Sequence, residues 1–134
     1  MSELDDLFGE VIHRYTRAQA IEDGELVEVS KSDEAIETGI KYPVALTRAV
    51  WDRYVEVPEG VWGQDPKGRL WDILWLFSRC AKRSSPFPTD RFFFRVHVRN
   101  DNREGTPPTV LLEAVCGPGD EGEPVITVQL PDED

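Results

Sequence analysis

Apolar and polar residues in the N-terminal third of the chain follow a helical pattern that is broken by turn signals. In residues 4–12, apolar side chains recur at three- and four-residue spacing, which is typical of one face of a helix. Thr16 and Gln19 have the spacing of a capping box, and Gly24 is a typical helix stop. We therefore predict a helix over residues 4–12, a second helix after Thr16, and a short strand over residues 26–29.

The middle third of the chain is predicted to be mainly helical. Ser30 or Ser32 begins a third helix, and residues 40–44 are extended because a residue that precedes a proline avoids the helical conformation. Thr47 is in a position to cap a fourth helix. The longest helical pattern covers residues 69–83, where apolar side chains occupy more than one face.

In the C-terminal third the apolar period changes to two, which predicts strands over residues 91–99, 109–116 and 125–130. Turn-rich connections between them indicate an antiparallel meander. The predicted fold class is α+β, with four or five short helices packed on a three-stranded antiparallel meander sheet and with residues 26–29 as an extra short strand. The predicted core consists of Ile21, Trp51, Leu70, Ile73, Leu74, Phe77, Phe92, Phe94, Val96, Leu112, Ile126 and Val128.

Length and composition fit a single domain that spans residues 1–134, of which 40% are hydrophobic. No apolar run is long enough to cross a membrane, and the acidic N-terminus lacks the basic start of a secretory signal. We therefore expect a cytoplasmic protein that does not bind membranes. Residues 1–11 and 131–134 are expected to be mobile.

The charge of the chain disfavours some partners and favours others. The formal net charge is −11, from 26 acidic and 15 basic residues, so that nucleic acid and anionic lipid are repelled overall. Acidic residues dominate residues 1–40 and 101–134, whereas basic residues outnumber them in residues 41–100. A protein partner, either basic or engaged in nucleic-acid handling, is therefore favoured over nucleic acid itself.

Three tryptophans form a candidate partner surface. Trp71 and Trp75 are four residues apart on the longest predicted helix, beside its main apolar stripe, and Trp62 lies in the loop before it. The indoles either belong to the core of a helix that is buried on two sides or form an exposed patch that binds a partner. A homodimer that buries them across a two-fold axis is a further alternative, and added salt should then tighten it.

The predicted strand over residues 91–99 has a candidate basic face. Its alternation places one set of side chains opposite the apolar set. That set consists of Arg91, Phe93, Arg95, His97 and Arg99. Two interpretations remain open, namely a nucleic-acid contact and a solvated face whose arginines pair with carboxylates such as Glu113.

The sequence contains no motif that specifies a catalytic, cofactor-binding or metal site. Glycine-rich phosphate loops, a nucleophile elbow and the paired spacings of zinc ligands are all missing, so we predict no cofactor. The enzyme alternative is a small metal-dependent hydrolase that would use His97 and acidic turns. These turns contain Asp101, Glu104, Asp120, Glu121 and Glu123.

Three segments together are similar to a known group of proteins. They read Y-T-R-A-Q-A-I-E-D-G-E-L-V-E-V-S over residues 15–30, P-V-A-L-T-R-A-V-W over 43–51 and G-R-L-W-D-I-L-W over 68–75. From about residue 12 to its end, the chain resembles a family of uncharacterised bacterial proteins found on plasmids, prophages and integrative elements. The family has no established activity, so the resemblance implies a cytoplasmic accessory protein of a mobile element and no catalytic residue.

The leading functional hypothesis is a non-enzymatic, acidic binding protein that acts on a protein partner. Counter-defence and anti-restriction inhibitors carried by mobile elements often act in this way, and the parallel is one of analogy. The alternatives are a nucleic-acid contact through the basic strand face and the metal-dependent hydrolase.

Overall fold

The computed structural model describes residues 15–83 and 91–133, which contain four helices and one five-stranded sheet. The helices are α1 (Arg17–Glu22), α2 (Asp33–Glu37), α3 (Arg48–Val50), which continues into a π-helical turn (Trp51–Val55), and α4 (Pro66–Arg83). The strands are β1 (Leu26–Glu28), β2 (Val44–Thr47), β3 (Arg91–His97), β4 (Thr109–Pro118) and β5 (Pro124–Gln129). The helix predicted over residues 4–12 lies outside the described residues.

The sheet has the strand order β1-β2-β5-β4-β3 and is mixed. Strands β3, β4 and β5 pair antiparallel, so the predicted meander is confirmed. The extra short strand is confirmed as β1, which pairs antiparallel with β2. The prediction of a three-stranded, wholly antiparallel sheet is incomplete, because β2 joins the two parts by pairing parallel with β5.

Strand β2 is the element that the periodicity did not reveal. All four of its residues are buried, so its sequence V-A-L-T shows no alternation between an inner and an outer face. The sequence indicated only that residues 40–44 are extended, because of Pro43, and that Thr47 caps a helix. Thr47 does cap that helix as predicted, since its hydroxyl accepts a hydrogen bond from the backbone N–H of Val50 at 3.3 Å, and it also ends β2.

The predicted capping box of α1 is present. The Thr16 hydroxyl accepts a hydrogen bond from the Gln19 N–H at 3.0 Å, and the Thr16 N–H donates to the Gln19 side chain at 2.9 Å. The Asp120 carboxylate, in the turn between β4 and β5, accepts from the N–H groups of Arg17 and Ala18. The start of α1 is thereby fixed to the sheet, where the Arg17 guanidinium also donates to Thr127 at 2.7 Å.

Helix α4 lies on one face of the sheet and forms the core with it. Phe77 stacks on Phe92 at a centroid distance of 5.5 Å and meets Phe94 edge-on at 6.3 Å. Most of the predicted core is buried, and Trp51 and Phe92 are half-buried against it. The prediction was wrong for Ile21, because α1 turns Ala20 inward instead.

Candidate functional site

Two tryptophans and an arginine form a stacked row along one side of α4. The rings of Trp71 and Trp75 are nearly parallel, with an interplanar angle of 12° and a centroid distance of 5.2 Å. The Arg79 guanidinium lies 5.3 Å from the centre of the Trp75 ring, which is within the range of a cation–π contact. Trp75 is 37% exposed and Trp71 is half-buried. We call Trp71, Trp75 and Arg79 the α4 indole surface.

Trp71, at one end of the α4 indole surface, lies on the side of α4 that contacts the segment after the acidic helix α2. Ser78 follows Trp71 by seven residues, and residues seven apart lie on the same side of a helix. The Ser78 hydroxyl donates a hydrogen bond to the carbonyl oxygen of Thr38, just after α2, at 3.2 Å. Asp33 and Glu37 of α2 are exposed, so α2 presents carboxylates to solvent.

Trp62 is not part of the α4 indole surface. It is 75% exposed, and its backbone N–H donates to the Asn102 side chain at 3.1 Å, while that amide donates to the Gly60 carbonyl at 2.8 Å. The loop that carries Trp62 is therefore fixed to the segment after β3. Ring contacts among the described residues join Trp71 to Trp75 and do not include Trp62. The structure thus brings together two of the three candidate tryptophans.

Arg69 explains this separation. It is buried, and its guanidinium donates to the carbonyl oxygens of Glu56, at 2.8 Å, and of Arg99. It also donates to the Asn100 side chain at 2.7 Å. Because Arg69 precedes Trp71 by only two residues, the two side chains leave α4 in different directions. The loops bound by Arg69, including the segment that holds Trp62, therefore lie away from the α4 indole surface.

Burial lowers the pKa of the Arg69 guanidinium, because removal from water disfavours the charged form. The carbonyl and amide oxygens around it compensate for the lost hydration. No sequence signal pointed to this residue, since an arginine in the first turn of a helix is ordinarily solvated. Only the tertiary structure shows that Arg69 joins the start of α4 to two loops.

The alternation predicted for β3 is confirmed, but the candidate basic face is reduced. Arg91, Arg95 and His97 are exposed, whereas Arg99 is half-buried and pairs with Asp101 at 3.0 Å. Hydrogen bonds from the Arg103 N–H and the Arg99 guanidinium hold the pKa of Asp101 below its usual value. Arg99 is thus bound to the loop after β3, and Arg91, Arg95 and His97 form the exposed part of the basic face.

The exposed members of the basic face differ in their contacts. Arg91 pairs with the buried Glu113 at 3.1 Å, as the solvated-face interpretation anticipated. The Nδ1 of His97 hydrogen-bonds to the Pro107 carbonyl at 2.8 Å. Arg95 makes no ion pair within residues 15–83 and 91–133. Of the three, Arg95 therefore has the charge that is most open to a ligand.

The acidic turns that the hydrolase alternative requires have other contacts in the fold. Asp120 caps α1, and the Glu123 carboxylate accepts from the Glu121 N–H at 3.0 Å. In the part of the chain that the structure describes, no three His, Cys, Asp or Glu side chains converge closely enough to hold a metal ion. Across the same residues, no helix combines the length and the apolar character needed to cross a membrane.

Comparison with known proteins gives a family but no activity. No curated protein and no solved structure matches the chain. A family model described as a family of unknown function, DUF6573, matches residues 5–134, which is nearly the whole sequence. The three segments over residues 15–30, 43–51 and 68–75 lie inside this match. The chain belongs to the DUF6573 family.

Proposed function

We propose that this protein is a non-enzymatic binding protein that acts on a protein partner through the α4 indole surface. The observation that carries the proposal is the stacked pair of Trp71 and Trp75, which lies beside the core rather than within it. Tryptophan and arginine are enriched among the residues that dominate binding energy. The Arg79 contact and the ring stacking also hold these side chains in one arrangement, which lowers the entropy lost on binding.

The net charge of the chain favours a partner with basic groups next to an apolar anchor. Asp33 and Glu37 are exposed on α2, the helix that contacts α4 through Ser78, and the whole chain has a net charge of −11. Such a partner would insert an apolar side chain at the indoles and place lysines or arginines near α2. Proteins that handle nucleic acid have such basic surfaces, and the resemblance to proteins of plasmids, prophages and integrative elements agrees with a counter-defence role by analogy.

A capture experiment with three matched baits tests this proposal. The full chain, the double variant Trp71→Ala/Trp75→Ala and the control Trp62→Ala are immobilised and exposed to bacterial lysate at low and high salt. We expect one partner on the full chain and on Trp62→Ala, lost from the double variant and weakened by salt.

The variants make the result specific to the α4 indole surface. Trp62 has the same side chain as Trp75 and is more exposed, so its removal controls for nonspecific adhesion to an indole. Circular dichroism and urea titration establish that each bait is folded. Partners that bind the double variant as well as the full chain, or no captured protein at all, would refute the proposal.

A further inference from the structure

Strand β3 forms one edge of the sheet, and its backbone has an open side. It pairs with β4 in an antiparallel register, and no strand pairs its other side within the described residues. The Val98 N–H donates to the Pro108 carbonyl at 3.0 Å, so Val98 and every second residue before it direct their backbone groups toward β4. The N–H and C=O groups of Phe93, Arg95 and His97 therefore point away from the sheet.

The same three residues have exposed side chains on one face. Phe93 is 53% exposed, and Arg95 and His97 are exposed beside it, with Arg91 at the start of the strand. The β3 edge, which we define as Arg91–His97, thus combines free backbone groups, one apolar side chain and three basic side chains. A strand added to this edge would place alternate side chains next to these residues.

We infer that the β3 edge binds an acidic, extended segment of another protein, which adds to the sheet as an antiparallel strand. Strand addition would satisfy the free N–H and C=O groups, and acidic side chains at alternate positions would lie opposite Arg95 and its neighbours. The site is separate from the α4 indole surface, so the inference does not depend on the proposed function.

The charges and the free backbone groups disfavour two alternative occupants, a second copy of the chain and a nucleic acid. Two copies of the chain that paired edge to edge would bring their arginines together on the same face, which is repulsive. A nucleic acid would match the positive charge, but it would not satisfy the regularly spaced backbone groups of Phe93, Arg95 and His97. An acidic polypeptide strand matches both features.

Four blocked peptides test the inference with the full-length protein in low-salt buffer at neutral pH. The first has the repeating sequence (Val-Glu)4, and the second replaces every glutamate with lysine. In an antiparallel pair, directly opposite residues have their side chains on the same face of the sheet. The peptide residues opposite Phe93, Arg95 and His97 are therefore glutamates, and their backbone groups form the hydrogen bonds to the β3 edge. The third peptide is therefore N-methylated at each glutamate, and the fourth, as the matched control, at each valine.

Amide hydrogen exchange of Phe93, Arg95 and His97 is the measurement. We expect the glutamate peptide and its valine-methylated form to slow exchange at these amides, and the lysine and glutamate-methylated peptides to leave it unchanged. Arg95→Glu should weaken binding of the glutamate peptide by about tenfold or more. Arg103→Glu, a charge reversal at a loop arginine that is 86% exposed, should bind as the unmodified protein does.

Three results would overturn the inference. The first is equal protection by the glutamate and lysine peptides, and the second is undiminished binding of the glutamate-methylated peptide. The third is the absence of protection at these amides with millimolar glutamate peptide. If a single-stranded oligonucleotide then protects them, the basic face is assigned to nucleic acid. Thermal melts of both arginine variants verify that each is folded.

Discussion

The two sides of helix α4 differ in the way their side chains are used. On one side Arg69 is only 6% exposed, and its donors meet backbone and side-chain oxygens of two loops. On the other side Trp71 and Trp75 stack on each other beside the core, with Arg79 over the outer ring. A polar group has been buried where the fold can satisfy it, whereas large apolar rings remain accessible. The first side therefore contributes to stability, and the second is available for binding.

A substitution in the core, where α4 packs on the sheet between these two sides, should have the largest effect on stability. Phe94 is buried against Phe77 of α4, so Phe94→Ala should lower the free energy of unfolding by about 3–5 kcal/mol. The neighbouring Phe93 points to the other face and is 53% exposed, so Phe93→Ala serves as the control with a much smaller effect. Urea titration measures both, and an unchanged midpoint for Phe94→Ala would contradict the assigned core face.

Substitution of Arg69 should have the second-largest effect on the free energy of unfolding. Arg69→Met keeps the length of the side chain but leaves the carbonyl of Glu56 and the Asn100 amide without their charged donor. Hydrogen bonds to charged groups contribute about 1.5–3 kcal/mol, so we expect a loss of about 2–3 kcal/mol in urea titration. Arg103→Met, at an exposed loop position, should change the midpoint little. Equal effects of the two substitutions would mean that the Arg69 contacts are not structural.

The α4 indole surface should affect association more than folding. If a second copy covers it, light scattering should show a dimer that tightens as salt screens the repulsion between two chains of charge −11. Trp75→Ala should then abolish the dimer, whereas Trp62→Ala should not. If the protein is a monomer at high concentration in both low and high salt, the homodimer is contradicted and the α4 indole surface would have to bind a different partner.

The smallest expected effect is a pH dependence at Asp72, next to the indoles. Desolvation raises the pKa of its carboxyl group above 3.8, so the folded state holds this proton more tightly than the unfolded state. Its contribution therefore favours folding at low pH and is lost as pH rises from 3.8 through the folded value. Asp72→Asn should flatten this part of the stability curve slightly in urea titrations from pH 3 to 7. An identical curve for the variant would mean that the carboxyl group is fully hydrated.

Local signals predicted much of this fold. The capping box at Thr16, the cap at Thr47 and the alternation in β3 depend on neighbours in sequence, and each is present in the structure. Strand β2 depends on remote partners, because β1 and β5 enclose it and no alternation marks its two buried faces. Its parallel pairing with β5 could not be obtained from periodicity alone.

In the candidate sites, too, features that depend on sequence neighbours were predicted, and features that depend on remote contacts were not. The four-residue spacing placed Trp71 and Trp75 side by side on the helix, and the structure shows that their rings stack. Sequence proximity placed Trp62 with them, but Asn102 and Arg69 hold its loop elsewhere. The charge of Arg99 was assigned to the strand face, whereas the following loop binds it.

The position of β2 also has a consequence for the order in which the chain can assemble. Val44 lies opposite Ile126, so the pairing of β2 with β5 closes a loop that contains α4, β3 and β4. Such distant pairings slow folding, because the entropy of loop closure is lost before the contacts form. A ribosome releases β2 long before β5, so the backbone N–H and C=O groups on one edge of β2 stay unpaired with β5 during most of synthesis. We expect completion of this pairing to limit the rate of refolding.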